Sequence, residues 1–245
     1  MSITPFNREE IFLRLIEEEY NNQLSRINFD NAHLNNFKND FELKIRQILL
    51  EETRENLDWD IKIVTAAELA IGEKSGYDGT AVYISSRDTK SDQLYIISQG
   101  SQDIKDWEYN AKSMLAGLNT DQAKDTIDFI TTLKDKLSIH VDLPIIGLSH
   151  SLAHNNNLTA HLTNIDDELF DEIYSVNGAQ TNYYQLYFED SSFSELLKRH
   201  FSVPLEKSDD SIYDLDPKEL HDFAQEYYKD KIPVVNQRIS TDDPL

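Results

Sequence analysis

The sequence predicts an α/β fold: a mostly parallel sheet flanked by helices and preceded by an N-terminal helical hairpin. Three observations carry this prediction. Two long stretches before residue 58 place apolar residues at helical spacing. From about residue 60 onward, short β-rich runs alternate with helical ones, the order that builds helices over a sheet. The run "VDLPIIGLS" (141–149) is short and largely apolar, as a strand in the middle of a parallel sheet should be.

The elements follow in order. Residues 7–25 read as an amphipathic helix, with Asn7 as cap, Glu10 as its capping-box partner, and Ile11, Leu13, Leu15, Ile16 and Tyr20 behind them. Residues 36–57 read as a second helix through Phe37, Phe41, Ile45, Ile48 and Leu49. These form a hairpin over 1–58 that packs on a main body spanning 59–245. "IKIV" (61–64) is β-like, and "TAVYISS" (80–86) and "QLYIISQ" (93–99) form a hairpin around the polar turn "RDTKSD". Residues 119–138 are helical, with Ile127, Ile130, Leu133 and Leu137 on one face. After strand 141–149 comes "LAHNNNLTAHLT", read as a surface helix. "DEIYSVNG" (171–178) is a strand, 180–200 and 217–229 are helical, and "KIPVVNQRI" (231–239) is the last strand. The acidic stretch 206–219 reads as a solvated loop. The long connection 180–230 reads as a structural insertion, with a lid as the alternative.

Composition narrows the function. There are 23 Lys plus Arg against 45 Asp plus Glu, a net charge of -22, which repels nucleic acid and anionic membrane surfaces. A lipid substrate must then be met through an apolar patch rather than through bulk electrostatics. The absence of cysteine removes disulfides, thiolate catalysis and Cys-based metal sites. The first residues carry no basic segment and no continuous apolar run, so no secretory signal is visible, and no stretch predicts a transmembrane segment. Seven glycines form neither a G-x-G-x-x-G nor a phosphate-binding loop, so no nucleotide cofactor is expected. His154 and His161 share a helix face without an evident acidic third ligand, so no metal is expected either.

The chemistry concentrates in "PIIGLSHSLAHNNN" (144–157). A nucleophile elbow needs a strand, a tight turn with the Ser at its apex, then a helix, with small residues two before and two after the Ser. Ser151 meets this, with Ser149 and Ala153 at those positions. The following helix start offers the Leu152 N–H to an oxyanion. The plainer alternative is that Ser151 only caps the helix. A second stretch, "LYIISQGSQDIKDWEYNAK", runs from a strand into a loop where Ser101 can supply a second oxyanion donor; there too the alternative is a plain turn with Trp107 in the core.

Together these stretches resemble the class 3 lipases among the α/β-hydrolases. "QGSQDIKDWEYN" stands where that family has an Arg-Gly-Thr-like step followed by Asp-Trp and Asn, and "SHSLAHN" where it has Gly-His-Ser-Leu-Gly, about 50 residues on. His150, Ser151 and Leu152 match the central His-Ser-Leu; Gln99 stands for Arg, Ser101 for Thr, and Ser149 and Ala153 for the two Gly. The resemblance covers roughly 60–245 and implies an α/β-hydrolase-like sheet and a serine esterase acting on lipid or phospholipid acyl esters. In that pattern an acid follows a late strand, which implies Asp243 with Asp242 as runner-up. No His follows Asp243, so the sequence is read as truncated before its catalytic His, or as a natural inactive hydrolase fold that serves as a binding module. His221 is a remote candidate base, and the motif places His150 as a packing or orienting residue. The Asn run, Asn177-Gly178 and the leading helices resemble lipase-like domains of Firmicute type VII secretion effectors. That implies an antibacterial effector exported by a leaderless route, with an immunity protein or a secretion partner.

Overall fold

Six strands form one sheet in sequence order: β1 (Asp60–Thr65), β2 (Gly79–Ser85), β3 (Gln93–Ser98), β4 (Ile145–His150), β5 (Glu172–Val176) and β6 (Val234–Arg238). This is a computed structural model; it describes residues 8–21, 30–53, 58–85, 92–99, 120–137, 143–164, 168–202 and 209–239. β1, β2 and β3 pair antiparallel, and β3 through β6 pair parallel. The helices are α1 (Arg8–Asn21), α2 (Asn31–Thr53), α3 (Asp121–Leu137), α4 (Leu152–Thr163), α5 (Tyr183–Glu189), α6 (Ser191–His200) and α7 (Pro217–Tyr228).

Topology decides which face each helix covers. The crossovers β3–α3–β4 and β4–α4–β5 step in the same direction across the sheet. Right-handed crossovers that keep one direction leave their helices on one face. The packing agrees: Phe129, Ile130 and Leu133 of α3 and Ala160 of α4 meet Ala81, Leu94, Ile96, Ile145 and Ile173. The alternate strand residues Val82, Ile84, Tyr95, Ile97, Ile146, Leu148 and Tyr174 face the other way, and there α1 and α2 cover them with Phe12, Leu15, Phe41, Ile45 and Ile48. Each such side chain contributes about 1.5–3 kcal/mol when fully buried. The N-terminal hairpin is therefore one of the two walls of the sheet.

A third apolar cluster joins Leu162 at the end of α4 to Leu186, Phe193, Leu197, Ile212, Leu220 and Tyr228, so α5, α6 and α7 pack as a unit against α4. Ile212 sits in a 3-10 turn over Asp209–Asp214 and is buried, so part of the acidic stretch expected to be a solvated loop is core. The single helix expected over 180–200 is two. Asp190 ends α5 and caps α6 by accepting from Phe193 N (2.9 Å), and Tyr228 Oη donates to its other oxygen (2.9 Å). Beside this buried carboxylate the Tyr228 hydroxyl is pushed well above the usual phenol range, by burial first and then by Asp190. α2 begins five residues before the expected start because Asp30 accepts from His33 N (2.9 Å) and caps it. β6 is exposed along its whole length, with Val234 62% and the following Ile239 79% accessible.

Candidate active site

Ser151 lies between the end of β4, every residue of which is buried, and the first turn of α4. Its backbone is at φ 52°, ψ −125°. An ordinary N-cap residue is extended and accepts a hydrogen bond from the helix with its side chain. Ser151 does neither: its side chain makes no capping bond. A non-glycine residue in this region is strained by about 1–3 kcal/mol and persists only when its surroundings over-determine it. Three backbone bonds do so here. Ser151 N donates to Val176 O (3.1 Å), and Ser151 O accepts from His154 N (3.2 Å) and Ala179 N (2.9 Å). The half-buried side chain thus stands at a sharp strand-to-helix turn, above a helix start whose first N–H groups have no intrahelical acceptors. Leu152 N–H is the first of these.

The ground under the turn is made of small and polar residues. Ser98, Ser149 and Ser175 are register partners across β3, β4 and β5 and are all buried. Ala153 is fully buried, and a Cβ on Gly178 would come within 2.7 Å of both the His154 ring and Ser175 Oγ. The loop after β5 is thus pressed against α4 and β5 beside the turn.

α4 departs from expectation. The "HNNN" run is buried on every side, and the surface helix expected from its polarity is a central one. Each Asn reaches a different neighbour. Asn155 Nδ2 donates to Gln180 O (2.7 Å) and Gln185 Oε1 (2.9 Å), in the loop after β5 and in α5. Asn156 Nδ2 donates to Gln122 Oε1 of α3 (2.6 Å). Asn157 Oδ1 accepts from Ser98 Oγ of β3 (2.9 Å). These ties fix the helix that carries the turn. His154, expected at the surface or bonded locally, is 1% exposed with no hydrogen-bond partner for Nδ1 among the described residues, and burial pulls its pKa down to about 4. His161 is buried too and bonded at both nitrogens. Nδ1 accepts from Phe170 N (3.1 Å), which places the proton on Nε2 facing Lys231 O (2.9 Å). Burial lowers its pKa as well.

α1 reaches the same edge of the sheet. Glu19 is buried and accepts from Thr80 Oγ1 (2.6 Å), Gln99 Nε2 donates to Glu19 O (3.2 Å), and the Tyr20 ring lies 4.7 Å from that of His150. Glu19 is a site neighbour that sequence reasoning passed over, and the Asn run entered it only through the effector resemblance, with its helix placed at the surface. A run of neutral polar residues inside a helix of so acidic a chain was the available signal for the Asn residues. Glu19 gave none.

Of the residues singled out from sequence, Ser151 and Leu152 are brought together at the turn. Ser101, Trp107, Asp242 and Asp243 lie outside the described residues. His221 is exposed, with Nδ1 2.6 Å from Tyr183 Oη. Among the described residues no group of three or more His, Asp or Glu could hold a metal ion, and no helix is long and apolar enough to cross a membrane.

Residues 10–245 match the family described as a domain of unknown function, DUF6792. The chain belongs to that family. It is also 39% identical over 252 residues to the uncharacterised protein YvcB of Bacillus subtilis (strain 168), a match covering 98% of this chain and 38% of that protein. The chain thus spans about two fifths of the length of this curated relative. No solved structure matches.

Proposed function

We propose that this member of the DUF6792 family is a serine ester hydrolase acting on lipid or phospholipid acyl esters, with an α/β-hydrolase-like sheet and Ser151 as nucleophile. The observation that carries the reading is the Ser151 backbone at φ 52°, ψ −125° at a strand-to-helix turn, without a capping bond. A strained turn that spends about 1–3 kcal/mol to lift a hydroxyl off the sheet edge is what a nucleophile needs and a cap does not. In the reaction, Ser151 Oγ attacks the acyl carbonyl carbon, the carbonyl π-bond pair moves to oxygen, and the Leu152 N–H and Ser101 hold that oxyanion. The alcohol leaves, and water releases the acyl group in a second round.

The hydroxyl needs a base to take its proton. His154 is poorly suited, because with a pKa near 4 it lies far below the operating range of a general base. The base is assigned to none of the described residues, and Asp243, or Asp242, is proposed as the acid that orients it. The role of exported antibacterial effector, with an immunity protein as partner, rests on the sequence resemblance alone.

The test is fatty-acid release from phosphatidylcholine vesicles and alcohol release from a short-chain ester, by the protein and by Ser151→Ala. The proposal expects both activities in the full-length protein, which supplies the base, and neither in its Ser151→Ala variant. It also expects slower release from phosphatidylglycerol vesicles at low salt, since the chain carries a net charge of -22. Equal rates with and without Ser151 would remove it as nucleophile.

A further inference from the structure

α1 does not reach across the last strand. On its face of the sheet, Tyr174 of β5 packs with Phe12 at a ring separation of 5.5 Å. Asn236 and Arg238 are the register partners of Tyr174 and Val176, so they stand on that same face one strand further out. All five residues of β6 are exposed. Between the first turn of α1 and the uncovered strand lies a cavity of about 520 Å³, a size that suits a small molecule.

Two carboxylates and two guanidinium groups line it, in two pairs. Glu172 accepts from Asn236 Nδ2 (3.0 Å) and from Arg8 Nη2 (3.1 Å). Glu9 accepts from Tyr174 Oη (2.9 Å) and faces Arg238 Nη1 at a looser 3.8 Å. Arg8, Glu9 and Arg238 are each a little over half exposed, so their pairings are weak and exchange readily. The four charges sum to zero. A lone anion would satisfy a guanidinium and oppose the carboxylate beside it, and a lone cation would do the reverse. A ligand carrying both signs satisfies both. The net charge of -22 acts in the same direction, because it repels an anion at a distance and exerts no net force on a neutral ligand.

We propose that this cavity binds a net-neutral zwitterion, which enters the loose Arg238–Glu9 pair with its anionic group on Arg238 and its ammonium group on Glu9. Glu172, already held by two donors, keeps the frame in place. The phosphodiester headgroups of choline and ethanolamine lipids have this chemistry, and so do the free glycerophosphodiesters. The position favours a headgroup. His150, Val176 and Arg238 are register neighbours at the carboxyl ends of β4, β5 and β6, and Ser151 N donates to Val176 O. Two strand spacings set Arg238 roughly 10 Å from the strand that ends in the Ser151 turn. A headgroup held here leaves the glycerol esters of the same lipid within reach of that turn. The assignment to a lipid headgroup rests on the ester-hydrolase reading above; the binding chemistry does not.

The experiment titrates glycerophosphocholine into the protein by isothermal titration calorimetry. This phosphodiester is net neutral and carries no acyl ester, so Ser151 has nothing to attack and binding is read apart from turnover. Saturable one-to-one binding is expected. It should weaken about tenfold or more in Arg238→Gln and in Glu9→Gln, each checked for a cooperative melting transition; if one fails to fold, the other decides. Glycerol 3-phosphate, the anion alone, and choline, the cation alone, should each bind about tenfold or more weakly than the whole. No saturable binding, unchanged binding in either folded variant, or either half binding as tightly as the whole would overturn the inference. A second arm separates the two sources. Retention of the protein on phosphatidylcholine vesicles, competed by glycerophosphocholine, assigns the lipid headgroup; binding in solution without retention on vesicles assigns a free zwitterion. If Ser151→Ala cleaves esters like the parent while glycerophosphocholine still binds, the hydrolase reading falls and the site stands. If the parent alone cleaves esters and nothing binds, the site falls and the hydrolase reading stands.

Discussion

Ser151 holds a conformation that glycine would adopt at no steric cost. A capping serine and a strained serine answer a Gly substitution with opposite signs. Replacing an ordinary N-cap Ser by Gly costs a few tenths of a kcal/mol. Relieving a strained turn gains about 1–3 kcal/mol, less the ~0.5–1 kcal/mol that Gly loses in chain entropy. Ser151→Gly is therefore expected to raise unfolding stability by about 1 kcal/mol in urea titration while abolishing any esterase activity. A loss of stability would mean that the turn is not strained. The motif's spacing was legible from sequence because it depends on residue size at 149, 151 and 153. The dihedral angle that separates elbow from cap depends on Val176 and Ala179, which close the turn from far along the chain.

α4 shows where element-scale reading succeeds and fails. Its bounds, 152–163, follow from the strand before it and the polar stretch after it. Its environment does not, because periodicity equates polar with exposed. A helix at the centre of a one-way winding is flanked by α3, the sheet, and the α5–α7 unit, and only its Leu158 and Thr163 are even partly exposed. The Asn residues survive there because Gln122, Gln180, Gln185 and Ser98 come from four places to bond them. His154 is the exception, and it makes α4 sensitive to acid. Its pKa is about 4 in the folded chain, against an ordinary value of 6.5, because burial penalises the charged form. The unfolded chain therefore takes up the proton first. The stability His154 permits is fully present above pH 6.5, shrinks as pH falls from there, and is lost through pH 4, a change of about 3 kcal/mol. In His154→Gln this segment of the stability–pH curve should flatten relative to the parent. Parallel curves between pH 4 and 6.5 would show that His154 is accessible to protons in the folded state.

At the scale of the whole molecule, strand order explains the N-terminal hairpin. A sheet wound in one direction clothes a single face, and a parallel sheet needs both covered. The two early helices were legible from Phe37, Phe41, Ile45 and Ile48 at helical spacing, and so was the α/β alternation after residue 60. Which face the hairpin covers, and that its end touches the residues beside the candidate site, were not legible. Those facts come from contacts such as Glu19–Thr80 and Gln99–Glu19, 61 and 80 residues apart in the chain. The buried polar helix carries the Ser151 turn, so the account depends most on what Ser151 does. The direct measurement is labelling with a fluorophosphonate probe, followed by peptide mass spectrometry. The account predicts a covalent phosphonyl adduct on Ser151 of the full-length protein and none anywhere in its Ser151→Ala variant. An adduct on another residue, or equal labelling of the two proteins, would contradict it.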